Sequence, residues 1–411
     1  MGRTGPLSER AWHAAAAVGV ALVLLWRCSD AFAHPIAFGE DWDQLLVANA
    51  WHGPGADLLQ PYAGYVSLGP RLIAAAAAGL PLTWQPHVFA LGAGLVAILV
   101  LSWLAAPRFA AWLPAAPLRA LLCVLLALIP VGNHALYSAA MYTSTHMLLA
   151  LVLWSCAPAP RRLVVELSLA TVCVWSHPAS LALLPFWGLR AWLEPGASRR
   201  FFGGLVAGGL VYLAAGIQLG EASRSLASLP RFLGTAVGSW TLAGETRALI
   251  GLPWTTYLIL PGVALAIAAR SRAVPAPTRR AALTLGLAAT TVAAAMVAGR
   301  AGTQGGLLFQ PRYLYVTALM SFLAIAMPLL SLAQAAGPRP LRLAAAALAI
   351  HVACLLPGTQ HRYRTSPVVG DRVAAFLAEV APWVAADGPP GERRALAIPG
   401  RHLVLRRPAR P

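Results

Sequence analysis

Apolar runs long enough to cross a bilayer recur along this chain, each bounded by Arg, Pro or Gly. In hydrocarbon a backbone has no water to bond. Each run must therefore satisfy its own N–H and C=O groups, and an α-helix does so within one segment. The runs centre near Val20, Gly94, Leu125, Leu149, Thr171, Leu183, Ala207, Val263, Leu287, Phe322 and Ala347. Hydrophobic residues make up 58% of the 411 positions, charged residues 11%, and mean hydropathy is +0.66, values a water-soluble globule would not show. The expected fold is all-α, a polytopic transmembrane helical bundle of about eleven spans.

A net charge of +17 in a soluble protein would point to nucleic acid. Here the arginines fall between the apolar runs as stop signals, and no nucleic-acid partner is expected. With Arg3 and Arg10 in the cytoplasm, the cytoplasmic loops hold Arg108 and Arg119, then Arg161 and Arg162, Arg199 and Arg200, Arg270, Arg272, Arg279 and Arg280, and finally Arg339 and Arg342. This alternation requires that Tyr65 to Pro81, interrupted by Pro70-Arg71, be a short helix along the outer membrane surface instead of a full span. The expected location is the inner (cytoplasmic) membrane, multi-pass, with the C-terminus outside.

The basic start and the run Ala14 to Trp26 before Ala31-Phe32-Ala33 have the layout of a secretion signal, but cleavage there would remove the anchor of the bundle, so the run is read as the first span. Five cysteines show no paired spacing and indicate neither disulfides nor zinc. Residues 1–356 are read as the bundle, with a first outer loop over 27–82, and residues 357–411 as a short basic tail on the outer face. Within the tail, Val373 to Val384 is expected to form one amphipathic helix and the rest to be loosely folded. No nucleotide-binding glycine loop, metal-ligand cluster or nucleophile elbow stands in the outer loops.

Carboxylates are scarce, 14 in the whole chain, yet Asp30, Glu40, Asp41, Asp43 and Asp57 all fall between Cys28 and Tyr65. The other outward segments add Tyr62, Tyr65 and Arg71; Asn133, His134, Tyr137, Tyr142 and His146; Trp175-Ser176-His177-Pro178; and Phe309-Gln310-Pro311-Arg312-Tyr313. Polar, aromatic and cationic groups thus gather on one face.

The acidic run Glu40-Asp41-Trp42-Asp43, the Gly64-Tyr65 and Pro70-Arg71 elements, the Pro-rich stretch Ser176-His177-Pro178-Ala179-Ser180-Leu181-Ala182-Leu183-Leu184-Pro185, and Pro311-Arg312-Tyr313 opening a late span resemble the C-type (GT-C) integral membrane glycosyltransferases. The resemblance covers most of residues 1–356. It implies transfer of a sugar from a polyprenyl-phosphate donor to a cell-envelope glycan, lipid or protein acceptor on the non-cytoplasmic face of a bacterial membrane. The chain departs from the family in its small outer loops and in lacking a sizeable terminal globular domain.

Glycosyl transfer needs a base beside the acceptor hydroxyl, and a carboxylate in a partly desolvated cavity can be tuned to that task. Asp41 is the first candidate, with Asp43 or Glu40 as its partner. The leaving lipid phosphate calls for cations, and arginine can fork two donors onto it. Arg71 and Arg312 are the candidates, followed by His134 and His177, with Tyr65, Gln310 and Tyr313 beside them. A carboxylate pair also offers oxygen ligands of the kind Mg²⁺ or Mn²⁺ takes, though adjacent carboxylates alone do not define a metal site.

Each residue also has a plainer reading. Asp41 caps a short helix and Asp43 sits in its first turn; Arg71 snorkels to headgroups; Arg312-Tyr313 is an interfacial anchor; His134, His146 and His177 are structural. Glu166 is the partner of Arg161 and Arg162. Two other activities fit the same class, a lipid-linked saccharide polymerase or ligase and a transporter or flippase. The former would be expected to carry its charges in a larger late outer loop, the latter near the midplane of its spans.

The topology is open to direct test. Reporter fusions are expected to place the Asp41 loop, the His134 region and the tail outside and the arginine-rich loops inside; a cytoplasmic tail would show that the spans are miscounted, most simply at Tyr65 to Pro81.

Overall fold

The computed structural model describes residues 6–33, 51–62, 65–129, 135–215, 226–241, 270–300, 311–357, 393–398 and 401–406, with isolated positions between them. Helix α1 (Pro6–Ala33) is followed by the short α2 (Pro54–Asp57), an antiparallel pair of two-residue strands, β1 (Pro61–Tyr62) and β2 (Tyr65–Val66), and α3 (Leu68–Ala77). Next come α4 (Gln85–Ser102), α5 (Ala116–Leu128), α6 (Ala135–Ser138), α7 (Thr143–Cys156), α8 (Leu163–Val174), α9 (Leu184–Leu193) and α10 (Gly196–Ala214). The bundle closes with α11 (Leu229–Thr241), α12 (Ala276–Arg300), α13 (Pro311–Ala336) and α14 (Pro338–Leu355).

Among the described residues, five helical segments are long and apolar enough to cross a membrane: Glu9–Ala33, Gln85–Ala105, Ala276–Ala298, Tyr313–Ala336 and Pro338–Leu355. Their outward faces are apolar as well. On α4, Ala90, Ala93, Ala97 and Leu101 are buried while Leu91, Leu95 and Leu99, spaced one turn apart, are exposed. A water-facing helix would carry charge on that stripe, and a lipid-facing one carries leucine. Small residues bring the helices close. A Cβ on Gly204 of α10 would stand 2.7 Å from the Leu167 side chain of α8, so glycine is what lets these two helices pack.

Side-chain bonds between helix ends fix the relative directions. Glu9, early in α1, pairs with Arg119, early in α5, and Arg27, late in α1, donates to the carbonyls of Ala127 (2.9 Å) and Ile129 (3.2 Å) at the end of α5. These two helices run the same way. Arg190, late in α9, donates to the carbonyls of Ser155 (2.6 Å) and Ala157 (3.1 Å), so the closing ends of α9 and α7 meet. Trp175, just past α8, donates to the carbonyl of Gly208 near the end of α10 (3.1 Å). Gln360, past α14, reaches the carbonyl of Arg27 (3.4 Å). The bundle therefore has a first end, with Glu9, Arg108, Arg119, Glu166 and Arg190, and a second end, with Arg27, Val66, Trp175 and Tyr212. The start of α1 lies at the first end and the close of α14 at the second.

Several expectations are corrected in detail. The run around Leu183 is broken: Pro178–Leu183 is a 3₁₀ helix and α9 has only 10 residues, since Pro178 and Pro185 lack the N–H a continuous helix would need. The Tyr65 to Pro81 segment does hold a short helix, α3, but it is set into the bundle, with Gly69, Pro70, Arg71, Ala74 and Ala77 buried. Helix α11 stands between the expected spans around Ala207 and Val263, where no span is expected, and packs on α13, where Trp240 Nε1 donates to Ser321 Oγ (2.9 Å). In the tail, Arg393–Ile398 (β3) pairs antiparallel with Arg401–Arg406 (β4), so the chain is not wholly α; the expected helix at Val373 to Val384 falls almost entirely outside the described residues, as does the run around Val263. The five cysteines are free.

Glu166 accepts from the backbone N–H groups of Arg161 (2.8 Å) and Arg162 (3.4 Å), but its ion-pair partner is Arg108, at 2.6 Å, and Trp154 Nε1 donates to the same oxygen (3.1 Å). Arg108 in turn donates to the carbonyl of Pro158 (3.0 Å) and lies over the Trp103 ring, so one ion pair ties two loops. Both partners are largely sheltered, whereas the Arg190–Glu194 pair is more exposed. Glu166→Ala is expected to lower unfolding stability in detergent by about 1–3 kcal/mol. Glu194→Ala should cost under about 1 kcal/mol; equal losses would contradict this ranking.

Candidate functional site at the second end of the bundle

Helix α3 is the centre of the second end. Its first residues need partners for their N–H groups, and its N-cap residue Ser67 supplies no side-chain bond. The groups are satisfied from across the bundle: Leu68 N donates to the carbonyl of Trp175 (3.0 Å) and Gly69 N to Ser176 Oγ (2.8 Å). Pro70 has no N–H to place, and Arg71 N bonds the Ser67 carbonyl (3.1 Å). Tyr212 Oη donates to the carbonyl of Val66 (2.8 Å), and the Trp175 and Tyr212 rings stack with centroids 5.7 Å apart.

Gly69 suits a tight space. A Cβ there would overlap Met147 Sδ and stand 3.0 Å from Ser176 Oγ, so glycine allows α3 to press on α7 and on the Trp175-Ser176 turn together. This seats Arg71 one turn into α3, with only 2% of its surface exposed. A snorkelling arginine carries its guanidinium out to the headgroups, and Arg71 instead lies within the bundle.

Helix α7, which lies against Gly69 through Met147, also carries part of a buried aromatic and imidazole cluster. His146 Nε2 lies 3.2 Å from Tyr315 Oη, and Tyr137 Oη donates to Tyr315 Oη at 3.3 Å. All three residues are fully buried, and the His146 and Tyr315 rings meet edge-on with centroids 5.3 Å apart. His146 stands in the first turn of α7 and Tyr315 in the second turn of α13, so the cluster joins the starts of both helices.

The residues singled out from sequence fare differently. Tyr65 is half-buried in β2, facing Tyr62 in register. His177 Nδ1 accepts from Ala179 N (3.1 Å), which makes it the N-cap of the 3₁₀ helix. Tyr313 is half-buried in the first turn of α13, where the Arg312 backbone is also helical. Glu40, Asp41, Asp43, His134 and Gln310, and the side chain of Arg312, lie outside the described residues. Asp57 accepts from the backbone N–H groups of His52 and, at 3.2 Å, Gly53, which ties it to its own turn. Among the described residues no group of three or more His, Cys, Asp or Glu side chains is placed to hold a metal ion. Sequence reasoning passes over Tyr315 and the structural use of Ser176. The Tyr313-Leu314-Tyr315 spacing at a helix start and the bare Gly69 before Pro70 are the signals that point to them.

What the fold and this end define is a class, a helical bundle with segments long and apolar enough for a bilayer and a buried polar cluster at one end. No protein-family profile, curated protein or solved structure matches the chain, so a narrower assignment rests on the site.

Tyr315→Phe removes the hydroxyl that both His146 and Tyr137 meet. The loss of unfolding stability in detergent is expected to be about 1–3 kcal/mol. An unchanged midpoint would show that the cluster does not hold α7 and α13 together.

Proposed function

We propose that this protein is a GT-C-type membrane glycosyltransferase that moves a sugar from a polyprenyl-phosphate donor to a cell-envelope acceptor at the non-cytoplasmic face. The observation that carries this reading is convergence. The Pro70-Arg71 helix, the Ser176-His177-Pro178 turn and the helix opened by Pro311-Arg312-Tyr313 are distant in sequence and each carries part of the family resemblance, yet Ser176 of the second bonds Gly69 of the first, Met147 of α7 lies against Gly69, and the adjacent His146 meets Tyr315 of the third. A transporter reading has no comparable support.

In this reading the bundle has about eleven spans, the arginine-rich first end is cytoplasmic, and the second end faces outward. Asp41, with Asp43 or Glu40 beside it, takes the proton from the acceptor hydroxyl as the acceptor oxygen bonds the sugar's anomeric carbon. The bond from that carbon to the phosphate oxygen breaks, and the lipid phosphate leaves with the electron pair. Arg71, sheltered from water, and Arg312 stabilise the charge that develops on the phosphate, where an arginine fork is worth more than in bulk solvent. Tyr65, Tyr313, Gln310, His134 and His177 surround the donor and acceptor.

Mass spectrometry of cell-envelope glycans tests this whichever sugar is moved. Cells lacking the protein should lose one glycan species, and the wild-type chain should restore it. Asp41→Asn keeps size and hydrogen bonding but removes the basic charge, and should reduce the product at least about a hundredfold at unchanged protein level. Loss in Asp43→Asn or Glu40→Gln instead would move the base along the loop. Full product in all three variants would remove the catalytic reading of this segment.

A further inference from the structure

The Trp175-Ser176 turn does more than end helix α8. Ser176 is fully buried, and its hydroxyl donates to the carbonyl of Val172 (2.6 Å) while accepting from Gly69 N (2.8 Å). A hydroxyl that accepts from a first-turn N–H is what an N-cap residue normally supplies from its own chain. Ser67 stands at that position in sequence, yet its Oγ lies toward Met141 Sδ, 3.8 Å away, and makes no capping bond. The cap of α3 therefore comes from the turn after another helix, 107 residues along the chain.

A cap within one segment steadies a helix but does not say where it sits. A cap from a neighbouring helix does both. The Trp175 carbonyl fixes Leu68, Ser176 fixes Gly69, and Met147 limits the approach from the other side. Trp175 is itself held by the Gly208 carbonyl and the Tyr212 ring. Less than one turn separates this seat from Arg71, so a shift of the seat carries the guanidinium with it.

We infer that Ser176 is a positioning residue: by capping α3 from the turn after α8 it holds Arg71 where a lipid-linked phosphate is received. The inference rests on the glycosyl-transfer reading for the identity of the ligand. The bond itself requires only the fold.

The test measures the cap and its consequence separately in the full-length protein in detergent. Amide hydrogen exchange reads the cap: Ser176→Ala should speed exchange at the start of α3 about fivefold to tenfold and leave α12 unchanged. Binding of a polyprenyl monophosphate, with the matching polyprenol as control, reads the consequence. Arg71→Gln and Ser176→Ala should each weaken monophosphate binding about tenfold or more without changing polyprenol binding. The double variant should bind no more weakly than Arg71→Gln alone, because Ser176 acts through Arg71. Ser176→Thr, which keeps the hydroxyl, should stay within about twofold of wild type.

Unchanged exchange at α3 in Ser176→Ala overturns the cap. Faster exchange with undiminished monophosphate binding, or additive losses in the double variant, overturns the positioning role. If Ser176→Ala does not fold, Gly69→Ala, which sets a methyl against Met147 and the Ser176 hydroxyl, disturbs the same seat and must give the same selective loss. A wild-type protein that binds monophosphate and polyprenol equally overturns the positioning role too. Absence of sugar transfer despite selective monophosphate binding overturns the glycosyltransferase reading alone.

Discussion

Where no water can reach, a helix end is the costly part of a helix, because its last N–H and C=O groups have no partner within the segment. This bundle closes many of its ends from neighbouring helices. Arg27 of α1 covers the carbonyls of Ala127 and Ile129, and Arg190 of α9 those of Ser155 and Ala157. At the second end the traffic reverses, and Trp175 and Ser176 close the amino end of α3. Cations at carboxyl ends also complement the helix dipole, so each such bond has an electrostatic share. Short helices such as α3, α5 and α9 are thereby held by side chains that also set their directions, and the placement of Arg71 follows from this.

The two ends differ in chemistry. The first end is built on ion pairs, Glu9 with Arg119, Glu166 with Arg108 and Glu194 with Arg190, which consume cations in holding loops together. The second end is built on hydroxyl, amide and aromatic contacts: Tyr212 on Val66, Ser176 on Gly69, and His146 and Tyr137 on Tyr315. A site that must receive a phosphate gains from an arginine whose helix is positioned through backbone bonds, because the seat of the helix then stands independently of the charge it presents.

Much of the architecture was legible because lipid leaves so few options: helices stand where the runs around Val20, Gly94, Leu125, Leu149, Thr171, Ala207, Leu287, Phe322 and Ala347 said they should. What escaped had physical causes. The Leu183 run is as apolar as its neighbours, but two prolines divide it. Helix α11 has 13 residues with glycine and serine among them, and tertiary contacts such as Trp240 to Ser321 sustain it. Glu166 stands close in sequence to Arg161 and Arg162, yet its ion pair reaches to Arg108, a partner 58 positions away that no local pattern reveals. At the candidate site the motifs Pro70-Arg71 and Ser176-His177 were visible as separate signals. Their contact, between Gly69 and Ser176, exists only in three dimensions.

In the proposed function the second end receives a lipid-linked phosphate. A density map of the protein with a polyprenyl monophosphate bound tests it most directly. The phosphate is expected within hydrogen-bond distance of the Arg71 guanidinium, with the prenyl chain leaving between helices into lipid. A phosphate seated among Arg108, Arg119 and Arg190 at the first end, or remote from α3 at the second, would contradict it.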